Sequence, residues 1–165
     1  MRKQITVFIL AVLLIFSSSA CGSSTDSEKA TDFTEMTLDG RTVSLSDYKG
    51  SVVVINFWGT WCPYCVMEME DIYAATQKYP DVVFLMVNTS QSLGHESTEE
   101  IQSYFDLAGF SFDNIILNQK TAQAYGIRSF PTTYVIDADG NVYEKVTGTV
   151  AGTKLGTMIE KAAKQ

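Results

Sequence analysis

The chain has 165 residues, 45% of them hydrophobic and 19% charged, with 12 Lys+Arg against 19 Asp+Glu and a formal net charge of -7. That apolar content can offset the entropy of ordering, which excludes a disordered or collagen-like chain, and the length suits one folded domain. An acidic balance with scattered cations offers phosphates no footprint, so nucleic acid is excluded as the main partner.

Residues 1–20 read as a secretory signal peptide. Arg2 and Lys3 give a positive start, Ile5 to Phe16 is apolar except for Thr6, and Ser17 to Ala20 are small. As a helix that run reaches about 18 Å, short of the ~30 Å hydrocarbon core of a bilayer. Cys21-Gly22-Ser23-Ser24-Thr25 resembles the start of a mature bacterial lipoprotein, although Ser18 stands where that box most often has Leu. The resemblance implies acylation of Cys21, with residues 21–31 as lipidated cysteine and flexible tether and 32–165 as the folded domain. Simple secretion and a retained signal anchor are the alternatives.

The elements of the domain follow in order. Phe33, Met36 and Leu38, the Asp39-Gly40 turn, then Val43 and Leu45 predict an N-terminal β-hairpin. Val52 to Phe57 is an apolar run expected of a strand buried on both faces. Cys65, Met69, Ile72 and Thr76 recur at helical spacing and predict a helix from about Cys62 to Tyr79, followed by a strand over Val82 to Val87. Ser97 and Glu100 fit a capping box, and Ile101, Tyr104, Phe105 and Ala108 continue the helix to Gly109. Ile115 to Leu117 reads as a brief strand and Thr121 to Tyr125 as a short helix closed by Gly126. Thr132 to Ile136 and Val142 to Val146 flank an Asp137–Asn141 turn as an antiparallel pair, and Leu155, Met158, Ile159 and Ala162 mark a last helix. This order predicts an α/β fold: a central mixed sheet with helices on both faces, preceded by a hairpin.

Three cysteines cannot make a disulfide framework, and with Cys21 set apart, Cys62 and Cys65 remain as an isolated C-x-x-C. A disulfide between them closes so small a loop that it constrains little of the unfolded chain, so chemistry explains the pair better than stability does. The motif Trp61-Cys62-Pro63-Tyr64-Cys65 falls where a buried strand ends and a helix begins. At the cap, Cys62 faces the positive end of the helix dipole and the free N–H groups of Tyr64 and Cys65, which favour thiolate. Pro63 is tolerated there because its missing N–H belongs to the unpaired first turn. Cys65 lies one turn on, giving an exposed nucleophile and a shielded resolver. Zinc is a poor alternative, since there is no second C-x-x-C and only one His, and Val66 rather than His follows Cys65, which argues against haem attachment.

Ser129-Phe130-Pro131-Thr132-Thr133 precedes an apolar strand. Together with the C-x-x-C after a strand it resembles the thioredoxin fold, which implies a cis Pro131 facing the dithiol and a Phe130 backbone that pairs with an incoming peptide. Residues 54–62, the Leu38-Asp39-Gly40 hairpin with Val43-Ser44-Leu45, and residues 130–137 narrow the resemblance to the membrane-tethered, extracytoplasmic TlpA/ResA-like thioredoxins. That resemblance implies a thiol-disulfide oxidoreductase on the extracytoplasmic face of a bacterial cell membrane. It would reduce disulfides of apocytochrome c, a methionine sulfoxide reductase or another envelope protein, and be recharged by a membrane electron donor of the CcdA/DsbD type. A monomer is expected, and no organic cofactor is needed because two sulfurs hold the electrons. Many members carry Glu-Pro between the cysteines where this chain has Pro63-Tyr64, so the family's redox potential does not transfer.

Asn56 occupies the position where ordinary thioredoxins have a buried Asp, and it cannot shuttle a proton. Glu68, three residues after Cys65, matches a functional Glu of TlpA/ResA-like proteins and can accept the Cys65 proton through water; the alternative is a solvated residue in an early helical turn. Trp61, Pro63, Tyr64, Phe130 and Pro131 are the candidate substrate-binding residues. Trp58 is expected under the sheet, Glu70 and Asp71 as surface charge, and His95 as a bystander in a polar loop. Two further readings remain: a Sco-like copper-binding module on the same fold, disfavoured by the two-residue cysteine spacing, and a lipoprotein adaptor with a vestigial dithiol.

Overall fold

The computed structural model describes residues 28–89, 96–150 and 152–165. The expected signal peptide, Cys21 and His95 lie outside these residues. Two antiparallel strands, β1 (Thr34–Met36) and β2 (Thr42–Ser44), form the N-terminal hairpin, and a 3-10 turn (Leu45–Tyr48) follows. The central sheet comprises β3 (Val53–Trp58), β4 (Val83–Asn88), β5 (Asp113–Ile116), β6 (Thr132–Ile136) and β7 (Val142–Thr147) in the order β5-β4-β3-β6-β7. β3 pairs parallel with β4 and antiparallel with β6, so the sheet is mixed. The helices are α1 (Pro63–Lys78), α2 (Thr98–Ala108), α3 (Gln119–Ala124) and α4 (Gly152–Ala162).

The period-two geometry of β3 assigns its side chains to two cores. Val52, Val54 and Trp58 face Met69 and Ile72 of α1, Ile101 and Phe105 of α2, and Leu155, Met158 and Ile159 of α4. Val53, Ile55 and Phe57 face the other way, toward Phe33, Val43 and Leu45 of the hairpin region and Tyr125 at the end of α3. Burial on both sides explains why this strand reads as an unbroken apolar run. Fully burying side chains such as Met69 and Ile72 stabilises the α1 docking by roughly 1.5–3 kcal/mol each.

Local signals set the ends of the elements. Ser97 Oγ accepts the Glu100 N–H at 3.2 Å and Glu100 Oε2 accepts the Ser97 N–H at 2.7 Å, closing the capping box, and Gly109 ends α2 at φ 69°. α3 starts two residues before the expected Thr121, because Asn118 caps it by accepting the Thr121 N–H at 2.9 Å. Residues 28–31, expected within the tether, are instead bound to the β6–β7 hairpin. The Ala30 N–H donates to Gly140 O at 3.0 Å, the Val142 N–H donates to Glu28 O at 2.7 Å, and Tyr125 Oη donates to Thr31 O. The start of this sheet edge, at Gly140 and Val142, is thereby paired, so the folded chain already includes Glu28.

Candidate active site

Cys62 is the N-cap of α1, with extended backbone (φ -95°, ψ 104°), and Pro63 begins the helix. Its Sγ accepts the Cys65 N–H at 3.2 Å, while its carbonyl accepts the N–H groups of Cys65 and Val66 at 3.0 and 3.1 Å. The two cysteines form a disulfide across a Cα–Cα separation of 5.3 Å. After reduction the same N–H and the helix dipole would stabilise negative charge on Cys62. The expected exposure of the nucleophile is not found in this oxidised form: Cys62 is 4% exposed and Cys65 fully buried. Both sulfurs belong to the core on the α1 side of the sheet, because the turn after β3 folds the cap back over that core.

The second half of the site comes from β6. Phe57 of β3 is opposite Thr132, so the residues just beyond these strand ends meet. The Phe130–Pro131 peptide is cis, and Phe130 packs against the core cluster that contains both cysteines. The rings of Trp61 and Phe130 meet edge-to-face with centroids 5.4 Å apart. Trp61 and Tyr64 are exposed, as is Pro63, so the rim around the sulfurs is largely apolar and open. Met67, also exposed, extends it along α1. Trp58 lies fully buried against Tyr104 and Phe105.

Glu68 is not a solvated surface residue. It is 3% exposed, its Oε1 accepts Asn56 Nδ2 at 2.8 Å and its Oε2 accepts the Val150 N–H at 2.8 Å. Asn56 Nδ2 also donates to Thr133 Oγ1 at 3.0 Å, whereas buried Asn56 Oδ1 has no protein partner. Burial raises the carboxyl's pKa, the Val150 and Asn56 donors pull it back, and the charge of Asp71 adds to the rise. A buried carboxyl with a raised pKa one helical turn below Cys65 suits a proton acceptor. Asp71 is more than surface charge, since its Oδ2 accepts the Gly152 N–H at 3.1 Å at the start of α4.

Two participants were not singled out from sequence. Thr133 extends the Glu68–Asn56 chain to the strand after the cis proline. Glu96 is 8% exposed and binds the loop before the cysteines: its Oε1 accepts the Thr60 N–H at 2.7 Å and the Thr60 hydroxyl, and its Oε2 accepts Asn88 Nδ2 at 2.8 Å. Its place beside the capping Ser97 concealed it, because an acid there reads as solvated helix-end charge. Among the described residues no group of three or more His, Cys, Asp and Glu is placed to hold a metal ion, so the copper-binding alternative gains no support.

The profile of the AhpC/TSA family matches residues 27–145. The chain is 33% identical to the thiol-disulfide oxidoreductase ResA of Geobacillus thermodenitrificans strain NG80-2, over 91% of this chain and 92% of that protein. Among solved structures it superposes on the exposed lipoprotein thioredoxin of Streptococcus pneumoniae strain TIGR4 with a TM-score of 0.67 and 26% identity, covering 79% of this chain and 99% of that one. A thioredoxin-family thiol:disulfide interchange protein of Chlorobium tepidum TLS shares the fold, with a TM-score of 0.74 and 24% identity over 82% of this chain and 96% of that one. A C-x-x-C disulfide at a helix cap beside a cis proline, on this sheet order, accords with these likenesses: the chain belongs to the AhpC/TSA family, among the thioredoxin-fold relatives of ResA.

Proposed function

We propose that the protein is an extracytoplasmic thiol-disulfide oxidoreductase that reduces protein disulfides. The observation that carries this reading is the Cys62–Cys65 disulfide at the cap of α1, beside the cis Phe130–Pro131 peptide. In the reduced protein, the Cys62 thiolate attacks one sulfur of a partner disulfide. A Cys62–partner bond forms, and the other partner sulfur leaves as thiolate and takes a proton. Cys65, losing its proton to Glu68 through water, then attacks Cys62 Sγ and expels the second partner thiolate. Two electrons pass to the partner and the Cys62–Cys65 disulfide remains. The exposed Trp61, Pro63 and Tyr64 form the surface on which the partner segment lies, with half-buried Phe130 at its edge and the buried Pro131 beneath it.

A lipid on Cys21 would hold the domain at the outer face of the cell membrane, in keeping with the signal-like residues 1–20 and with the exposed lipoprotein thioredoxin it resembles. A membrane electron donor of the CcdA/DsbD type would return the dithiol to its reduced form. Envelope proteins, apocytochrome c among them, are the proposed substrates. Reduction of insulin by the wild-type protein, combined with trapping on Cys65→Ser, tests the reading. The wild type should reduce insulin and the variant should hold partners in mixed disulfides through Cys62. A wild-type protein inert toward insulin, with no partner retained by the variant, refutes it.

A further inference from the structure

We propose that Glu96 is the positioning residue of the redox turn, its buried carboxylate holding Thr60 so that Trp61 and Cys62 keep the geometry a partner disulfide meets. The inference rests on the exchange reading above. The Cys62 N–H donates to Gly59 O at 3.1 Å, so Thr60 and Trp61 are the central residues of the turn that leads from β3 to the helix cap. That internal bond leaves the Thr60 N–H pointing outward, and the Glu96 carboxylate takes it together with the Thr60 hydroxyl. The other carboxylate oxygen takes Asn88 Nδ2. Asn88 ends β4 and is the register partner of Trp58, which ends β3, so one side chain ties the end of β4 to the turn that leaves the neighbouring strand. A carboxylate suits the task because its two oxygens can accept all three donors.

The turn supplies one wall of the partner surface, since Trp61 rests edge-on against Phe130. It also seats Cys62 at the cap, where the Cys65 N–H faces its sulfur. Release of Thr60 therefore disturbs partner docking and thiol reactivity together. Gln at position 96 keeps an oxygen for both Thr60 donors and loses only the Asn88 side. Ala loses the hold entirely.

The test compares Glu96→Ala, Glu96→Gln and Thr60→Val in the full chain. It reads kcat and KM for insulin reduction, with dithiothreitol as the electron donor that regenerates the dithiol, and the pH profile of iodoacetamide alkylation of Cys62. Glu96→Ala should lower kcat/KM about tenfold, chiefly through KM, since misplacement by an ångström can cost up to ~100-fold; it should also shift the alkylation profile. Glu96→Gln should stay within about twofold of wild type, and Thr60→Val should show a smaller loss in the same direction, with no further loss when added to Glu96→Ala. Wild-type KM and alkylation in Glu96→Ala overturn the proposal, as does a Glu96→Gln variant impaired as much as Glu96→Ala. Should Glu96→Ala fail to fold, Thr60→Val decides, and its unchanged KM and alkylation overturn the proposal. A wild-type protein that does not reduce insulin, with no partner retained by Cys65→Ser, sinks the exchange reading, while the alkylation profiles still decide the role of Glu96.

Discussion

Replacing Glu68 by Gln removes a buried charge while keeping the volume, and its consequences have a definite sign in both stability and rate. Burial holds the Glu68 carboxyl above its ordinary value of 4.5. An acid with a raised folded pKa binds its proton more tightly in the native state, so stability declines as pH rises from the unfolded value through the folded one, and then levels off. Each unit of that rise corresponds to about 1.4 kcal/mol, and a side chain 3% exposed is little screened by solvent. Urea unfolding of oxidised wild type in a pH series from acid to neutral should show this decline, and Glu68→Gln should lack it. In single-turnover reduction of a model disulfide, formation of the mixed disulfide should be nearly unchanged. Its resolution by Cys65 should slow by about a hundredfold, the low end for a lost general base, because water remains as a substitute acceptor. Loss of the negative charge should also lower the apparent pKa of Cys62. Parallel unfolding profiles together with unchanged resolution would refute the argument.

The other predictions concern the cysteines and the residue beside Glu68. In the reduced protein, Cys62 should react with iodoacetamide before Cys65, and Cys65→Ser should form mixed disulfides that Cys62→Ser cannot; faster alkylation of Cys65 reverses the assignment. Cys21→Ala should release the protein from membranes without altering insulin reduction, and a variant still membrane-bound after signal removal disproves acylation. Asn56→Asp would set a second carboxylate where an amide now donates to Glu68 at 2.8 Å. The two acids should share a proton, and the variant should lose on the order of 2–4 kcal/mol at neutral pH and recover it in acid, measured by urea unfolding at both pH values.

What the sequence reveals here is what short range determines. The cap role of Cys62, the tolerated Pro63 and the capping box of α2 are decided within a few residues, and the structure places all three as the sequence predicts. Strand positions are displaced by a residue or so: β3 ends at Trp58 and β4 at Asn88, one beyond the expected limits, since pairing register rather than composition sets where a ladder stops. The docking of residues 28–31 on the β6–β7 hairpin had no local signal. Their polar composition matches a tether, and only a sheet edge more than a hundred residues away gives their backbone a partner.

Glu68 illustrates the same limit at the site itself. Its spacing from Cys65 marks it as a candidate, but spacing cannot distinguish a solvated carboxylate from a buried one. Its partners come from distant segments: Asn56 on β3, itself bonded to Thr133 behind the cis proline on β6, and the backbone of Val150 before α4. The amide of Asn56 is the hinge of this arrangement, because both its protons are engaged while its oxygen has no protein partner. An ionised Asp there would have no proton to donate to the Glu68 carboxylate. The neutral amide thus leaves Glu68 as the one titratable side chain in this hydrogen-bonded chain, and it links that carboxylate's charge state to the strand that follows the cis proline. A proton arriving from Cys65 would weaken the Asn56 and Val150 contacts together, so in the proposed exchange the resolution of the mixed disulfide would be felt at the strand that follows the cis proline.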